Sequence, residues 1–296
     1  ARLWHRSRGP ATPATKFFLV SPRKFWTKDP TMNLGVIGCG KMGKALVGGI
    51  IGAGICRADE VTVYDTYASS AQAMATELGV TVATGNAELV TRSDVVLLCV
   101  KPQGFIEMLA GLGESRDKLL ISIAAGIRLS AIEAGSDHRH RVVRVMPNTP
   151  ALIGRGASAF ALGAAATEGD AELTESLLGA VGYVCRVSED DLDAVTALSG
   201  SGPAYFFLMI EALIASGVKQ GLSPEIARDL AVHTAAGAAE LVLATGEAPA
   251  QLRENVTSPN GTTFAALQSF RSNGFESIVE LAVAAAADRS RELGAS

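Results

Sequence analysis

Leu34-Gly35-Val36-Ile37-Gly38-Cys39-Gly40-Lys41-Met42-Gly43 decides the fold of this chain. The apolar run Leu34–Ile37 enters a Gly-x-Gly-x-x-Gly turn, and helical spacing over residues 45–51 leaves it. A strand feeding such a turn into a helix is the fingerprint of a dinucleotide-binding unit. Gly38 allows the tight turn, Gly40 lets the backbone approach a pyrophosphate, and Gly43 lets the helix lie close to the strand. The helix start adds unpaired N–H groups and a partial positive charge for the phosphates. A second strand, Val61–Tyr64, ends at Asp65, 22 residues after Gly43. An acid about 20 residues on is where such sites hold the adenosine ribose hydroxyls.

Working outward, strands alternate with helices. Helices are expected over Lys41–Gly52, Ala68–Leu78 and residues 86–91, and a short third strand over 79–82. Residues 94–100 form a continuous apolar run, the pattern of a strand buried on both faces of a parallel sheet. Further strands are expected at 119–123 and 141–145. This alternation implies an α/β fold with a Rossmann-type doubly wound sheet. Ligands bind such sheets at the carboxyl ends of the strands, an edge that collects Gly38, Asp65, Lys101, residues 124–126 and residues 146–148.

From about Glu189 the strand pattern gives way to helices alone, over 192–198, 204–217, 224–245, 262–272 and 275–293. Ser223 reads as an N-cap, Pro224 as the first helical residue and Gly246 as the stop. The division expected is therefore a leader or added extension over 1–31, a dinucleotide-binding domain over 32–188 and an all-helical C-terminal domain over 189–296. A helical domain this small and Ala-rich has limited core of its own, so a second copy is expected to cover its apolar faces.

Composition narrows the function classes. The 296 residues are 48% hydrophobic, 19% charged and 5% aromatic, so the cores are aliphatic. A net charge of −4 argues against nucleic acid as partner. The first 31 residues carry seven Lys or Arg and one acid; the remainder holds 19 basic and 29 acidic residues. No unbroken apolar run reaches the roughly 20 residues of a membrane helix, so no membrane partner is expected. Cys39, Cys56, Cys99 and Cys185 form no Cys-x-x-Cys pair and read as reduced thiols of a cytoplasmic protein. His138 and His140 read as a solvated loop, and no ligand spacing suggests a metal.

Several motifs together resemble the pyrroline-5-carboxylate reductase family, over most of the chain after the leader. They are residues 37–43, Val100-Lys101-Pro102, Ser122-Ile123-Ala124-Ala125-Gly126 and Arg144-Val145-Met146-Pro147-Asn148-Thr149-Pro150, then residues 193–205 and Val256-Thr257-Ser258-Pro259-Asn260-Gly261-Thr262-Thr263. The resemblance implies hydride transfer from NADPH or NADH to the C=N carbon of 1-pyrroline-5-carboxylate, giving L-proline. It implies that Thr263 hydrogen-bonds the ring nitrogen, that the N–H groups of Thr262 and Thr263 hold the carboxylate beside Ser258, and that Glu189 lies near the ring. It places Gly38, Cys39, Gly40, Lys41, Met42, Gly43, Asn86, Val100, Lys101 and Ala125 against the cofactor, with Asn255 near the nicotinamide. It also implies a dimer paired through the helical region, which can assemble further into rings. Asn260 stands where the family has a glycine, and asparagine is the side chain that best tolerates φ > 0 there.

The residues alone leave plainer readings open. Thr262-Thr263 reads equally as an N-cap, Glu189 as part of a solvated acidic linker with Asp190 and Asp191, and Tyr205-Phe206-Phe207 as packing. A β-hydroxyacid dehydrogenase shares the plan of Rossmann domain then helices, but residues 204–217 lack the lysine it would place there. A nucleotide-sensing module would keep residues 38–43 and have no use for 258–263.

Overall fold

The computed structural model describes residues 32–295, so the leader reading lies outside the described residues. Eight strands form one sheet: β1 (Leu34–Ile37), β2 (Val61–Tyr64), β3 (Thr81–Val82), β4 (Val95–Leu98), β5 (Leu119–Ser122), β6 (Arg141–Met146), β7 (Gly156–Leu162) and β8 (Gly182–Arg186). Their order is β3-β2-β1-β4-β5-β6-β7-β8. Among the described residues only the β6–β7 pair is antiparallel. The order reverses between β1 and β4, which makes that crevice the switch point where ligands bind. β1, β4 and β5 are buried along their whole length, as continuous apolar runs require.

Helices α1 (Lys41–Gly52), α2 (Ala68–Leu78), α3 (Asn86–Arg92), α4 (Phe105–Ala110), α5 (Leu129–Gly135) and α6 (Glu168–Gly179) accompany the sheet. Side chains alternate across each strand and divide between two cores. Val36, Leu97 and Ile121 join one core with Leu46, Ile50 and Met74. Ile37, Leu98 and Leu120 join the other with Leu89, Phe105 and Leu109.

The segment from 156 to 186 departs from the expected pattern, because β7, α6 and β8 carry no strong sequence signal. β7 reads Gly156-Ala157-Ser158-Ala159-Phe160-Ala161-Leu162, and alanine and glycine favour strands poorly. Pairing with β6 and burial of Phe160 determine it instead. α6 opens on a capping box in which Thr167 and Asp170 satisfy each other's backbone N–H groups. His140 is also not solvated. It is 3% exposed, its Nδ1 accepts from Lys118 N at 3.3 Å, and burial pushes its pKa down.

The helical region begins with α7 (Leu192–Val195) and a π-helical turn, Thr196–Gly200. It continues with α8 (Gly202–Lys219), α9 (Pro224–Thr245), α10 (Pro249–Asn255), α11 (Thr262–Ser272) and α12 (Phe275–Ala295). Ser223 caps α9 by accepting from Ile226 N, and Gly246 ends it at φ +67°, as its sequence predicts. α10, with Pro249 in its first turn, is a helix beyond those the sequence pattern predicts. Tyr205 packs, donating its hydroxyl to Ala197 O at 2.9 Å, whereas Phe206 and Phe207 stay exposed. Leu208, Leu243 and Leu281 are exposed too, so much of the region's apolar surface is uncovered in one chain.

Residues Glu189–Lys219 are long and apolar enough to cross a membrane by length and composition, with mean hydropathy 1.4 and almost none of the window buried. Glycine, serine and proline interrupt this stretch, so it contains no unbroken apolar run while its average remains apolar.

Candidate active site

β1 delivers Gly38 to the switch point in a conformation reserved for glycine, φ +102°. A Cβ there would lie 2.6 Å from Cys99 O. Gly38 N donates to Tyr64 O at 2.8 Å and Cys99 N to Ile37 O at 2.7 Å, which ties the turn to β2 and β4. Gly43 packs so closely that a Cβ would strike Gly38 O. Gly40 differs from both: a Cβ on it would meet nothing within 4 Å. The space over Gly40 is therefore open, as a pyrophosphate lying across the turn would require. Gly40 caps α1 without a side-chain hydrogen bond, so the first-turn donors stay open for an anion.

Asp65 ends β2 with both oxygens fixed by backbone. Its Oδ2 accepts from Cys39 N at 2.7 Å and its Oδ1 from Tyr67 N at 2.8 Å. An ionised carboxylate has about four acceptor positions, so each oxygen can still take a ribose hydroxyl. Asn86 opens α3 beyond β3, and its buried Oδ1 accepts no hydrogen bond among the described residues. Such an orphan at a ligand edge fits a donor from a ligand. Val100 and Lys101 follow β4, and Ala125 follows β5, so both lie at the same carboxyl edge. The turn, the helix start, the fixed acid and the orphan acceptor together fit a dinucleotide. The thiols do not fit covalent chemistry: burial first, then the neighbouring charge, pushes Cys39 up to about 12, and burial does the same to Cys99.

The second candidate cluster sits at the start of α11. Its N-cap is Gly261, with no side-chain cap. The plain N-cap reading of the threonines therefore fails: both lie inside the helix. A Cβ on Gly261 would crowd Ser258 Oγ, which would have to swing aside, and would lie 3.2 Å from Ser258 O. Asn260 adopts φ +57°, so the turn keeps the conformation a glycine would give it. The backbone bonds here are Gly261 N to Ser258 O and Ala265 N to Gly261 O, both 3.1 Å. Within the described residues these leave the N–H groups of Thr262 and Thr263 and the Thr263 hydroxyl open. Asn255 ends α10 and accepts from Gln251 Nε2 at 2.9 Å. A single chain thus gathers residues 38–43, Asp65, Asn86, Val100, Lys101 and Ala125 along one sheet edge. It holds Asn255, Ser258, Thr262 and Thr263 in the helical region, where their hydrogen bonds are local.

Glu189 is neither solvated nor free. Its Oε1 accepts from Leu129 N at 2.6 Å and from Arg144 Nη1 at 3.0 Å. Arg144 is 5% exposed inside β6, and sequence reasoning gave it no role. The signal was present: an arginine flanked by valines in a buried strand must have a charged partner. Asn148 of the same motif accepts from Ala157 N at 2.8 Å and donates to Ser199 O at 3.2 Å, joining the sheet to the π-helical turn.

Residues 33–126 match the family model of coenzyme F420-dependent NADP oxidoreductases, and residues 189–293 match that of pyrroline-5-carboxylate reductase dimerisation. A solved pyrroline-5-carboxylate reductase from Coxiella burnetii superposes with TM-score 0.84 at 35% identity, covering 89% of this chain and 99% of that one. A Plasmodium falciparum pyrroline carboxylate reductase solved with NADP bound gives 0.78 at 32% identity, with 89% and 98% covered. Fold and cofactor edge define an oxidoreductase of the nicotinamide-dinucleotide class. The chain is 44% identical to the pyrroline-5-carboxylate reductase of Pseudomonas aeruginosa, over 89% of this chain and 97% of that relative. It is 42% identical to the Pisum sativum enzyme over 88% and 96%. This chain belongs to the pyrroline-5-carboxylate reductase family.

Proposed function

We propose that this enzyme reduces 1-pyrroline-5-carboxylate to L-proline with NADH or NADPH, the last step of proline biosynthesis. The observation that carries the reading is the pair of open donor sets, one at α1 beneath an unobstructed Gly40 and one at the uncapped start of α11. A bound reduced nicotinamide supplies the hydride. The chain supplies position and polarity. In this reading residues 38–43, Asp65, Asn86, Val100, Lys101 and Ala125 hold the dinucleotide, with Asn255 toward the nicotinamide. The N–H groups of Thr262 and Thr263, beside Ser258, bind the substrate carboxylate, since a helix start favours an anion. The Thr263 hydroxyl orients the ring nitrogen. A protonated iminium accepts hydride better than a neutral imine, and threonine is too weak an acid to deliver that proton, so solvent supplies it. The decisive test is to incubate the protein with 1-pyrroline-5-carboxylate and each cofactor. Proline is expected to form in equal amount to the dinucleotide oxidised; none with either cofactor sinks the reading.

Cofactor choice follows from Asp65. Its fixed negative charge suits ribose hydroxyls and repels a 2′-phosphate, and no Lys or Arg lies between Asp65 and Leu78 to offset it. NADH is therefore expected to serve at least as well as NADPH. Asp65→Ser is expected to move the ratio of kcat/KM values toward NADPH by about tenfold, equivalent to about 1.4 kcal/mol. A strong NADPH preference in the parent would show that Asp65 does not face the ribose.

The functional division we propose is a dinucleotide domain to residue 188 and a dimerisation and substrate domain from 189. The exposed apolar faces of α8, α9 and α12 are covered by a second copy rather than by lipid, in a cytoplasmic enzyme without a nucleic-acid partner. Light scattering at micromolar concentration is expected to give the dimer mass, or that of a ring of dimers. A stable active monomer is the contrary result.

A further inference from the structure

We propose that Glu189 and Arg144 are positioning residues that hold the loop between β5 and α5 against the cofactor. The proposal rests on the reading above that Ala125, within that loop, touches the dinucleotide. The loop is gripped by both ends of the helical region. At the loop's far end, where α5 begins, Glu189 Oε1 accepts from Leu129 N at 2.6 Å and, from β6, from Arg144 Nη1 at 3.0 Å. Arg144 stands opposite Ser122 in the β5–β6 register, directly beneath the loop. A guanidinium buried in a strand needs its counter-charge, so Glu189 is fixed by Arg144 and in turn fixes Leu129. Arg128, the loop's last residue, reaches the same segment at Asp190, 3.8 Å away, and Asp193, 4.0 Å away. Asp193 is buried and accepts from Ser290 Oγ of α12 at 2.6 Å. The last turns of α12 then back onto the loop itself. Gly126 has φ +77°, and a Cβ there would approach Leu293 Cβ to 3.3 Å.

This arrangement explains an otherwise idle motif. Arg144 lies remote from the described donors of α1 and α11 in the hydrogen-bond pattern, yet it is buried and charged. Its chemistry is spent on the shape of the loop that carries Ala125. Loosening the brace reduces cofactor affinity and leaves the groups that would meet the substrate, Thr262 and Thr263, unchanged.

The test is a fluorescence titration of the assembled protein with NADH alone, on the parent and on Glu189→Ala, Glu189→Gln and Ser290→Ala. Glu189→Ala is expected to raise the Kd for NADH about tenfold, within the range by which residues outside a site alter it. Glu189→Gln keeps an acceptor for Leu129 N and is expected to fall between alanine and parent. Ser290→Ala is expected to give about a threefold rise, and it keeps the question open to measurement if Glu189→Ala does not fold. In Ser290→Ala the KM for 1-pyrroline-5-carboxylate at saturating NADH should stay within about twofold of the parent. An unchanged Kd with a lowered melting temperature would reduce the brace to a stabilising ion pair and overturn the proposal. A rise confined to the substrate KM would overturn it differently, by putting Glu189 against the ring. Failure of the parent itself to bind NADH would sink the functional reading, and the brace with it.

Discussion

Gly40→Ala is expected to leave the chain folded and to lower kcat/KM with either dinucleotide by about tenfold to a hundredfold, the scale on which a displacement of about 1 Å acts. The backbone at Gly40 has φ −71° and ψ −177°, open to any residue. A Cβ there meets no protein atom within 4 Å, so the substitution strains nothing. Its stability effect should stay within about 0.5 kcal/mol, a melting shift of about 2 °C or less. The methyl group instead occupies the space assigned to the pyrophosphate. Gly38→Ala is the contrasting variant. There φ is +102° and the new Cβ would lie 2.6 Å from Cys99 O, a backbone atom that cannot swing aside. Strain and overpacking together cost about 2–4 kcal/mol, so its melting temperature is expected to fall by about 5–15 °C. Thermal melts and NADH titration on the two variants separate a glycine kept for the ligand from one kept for the turn. Full NADH binding by Gly40→Ala would mean that the pyrophosphate does not cross this turn.

The two glycines also show what was legible in the sequence. A Gly-x-Gly-x-x-Gly turn between a buried strand and a helix fixes local geometry, so β1, α1, β2 and α2 occupy the residues expected of them. Strong caps behave the same way, as Ser223 and Gly246 do for α9. The segment from 156 to 186 was not legible, because β7 is rich in alanine and glycine, and β7 and β8 owe their form to pairing with β6 and with each other. The site divides along the same line. Residues 38–43 and Asp65 are read from spacing, since turn and strand end determine where they point. The role of Glu189 could not be read that way. Its partners Leu129 and Arg144 are 60 and 45 residues distant, so an acid in a charged run looks solvated until the sheet closes. The N-cap reading of Thr262 and Thr263 failed for a local reason instead: Gly261 takes the cap position and leaves the threonines as the first two residues inside the helix.

That place inside the helix governs the expected behaviour of Thr263. A capping threonine replaced by alanine costs about 0.5–2 kcal/mol of stability and leaves turnover nearly intact. Thr263 is not the cap, and its hydroxyl makes no hydrogen bond among the described residues, so Thr263→Ala should cost less stability than that. Its effect is expected in turnover. One oriented hydrogen bond to the ring nitrogen in a desolvated site is worth about tenfold to a few hundredfold in kcat, at 1.36 kcal/mol per factor of ten. Thr263→Ser keeps the hydroxyl and should retain most activity. Thr263→Val keeps the shape without the hydroxyl and should lose activity to the same extent as alanine. Thr262→Ala is the neighbouring control: the role proposed for Thr262 belongs to its backbone N–H, which the substitution preserves, so its effect should be mild. Steady-state kinetics on the four variants, each checked for melting temperature and dimer mass, reads the hydroxyl directly. Equal turnover in Thr263→Val and Thr263→Ser, with both correctly folded, would leave Thr263 only its backbone N–H to offer, and the ring nitrogen would have to be held by another group.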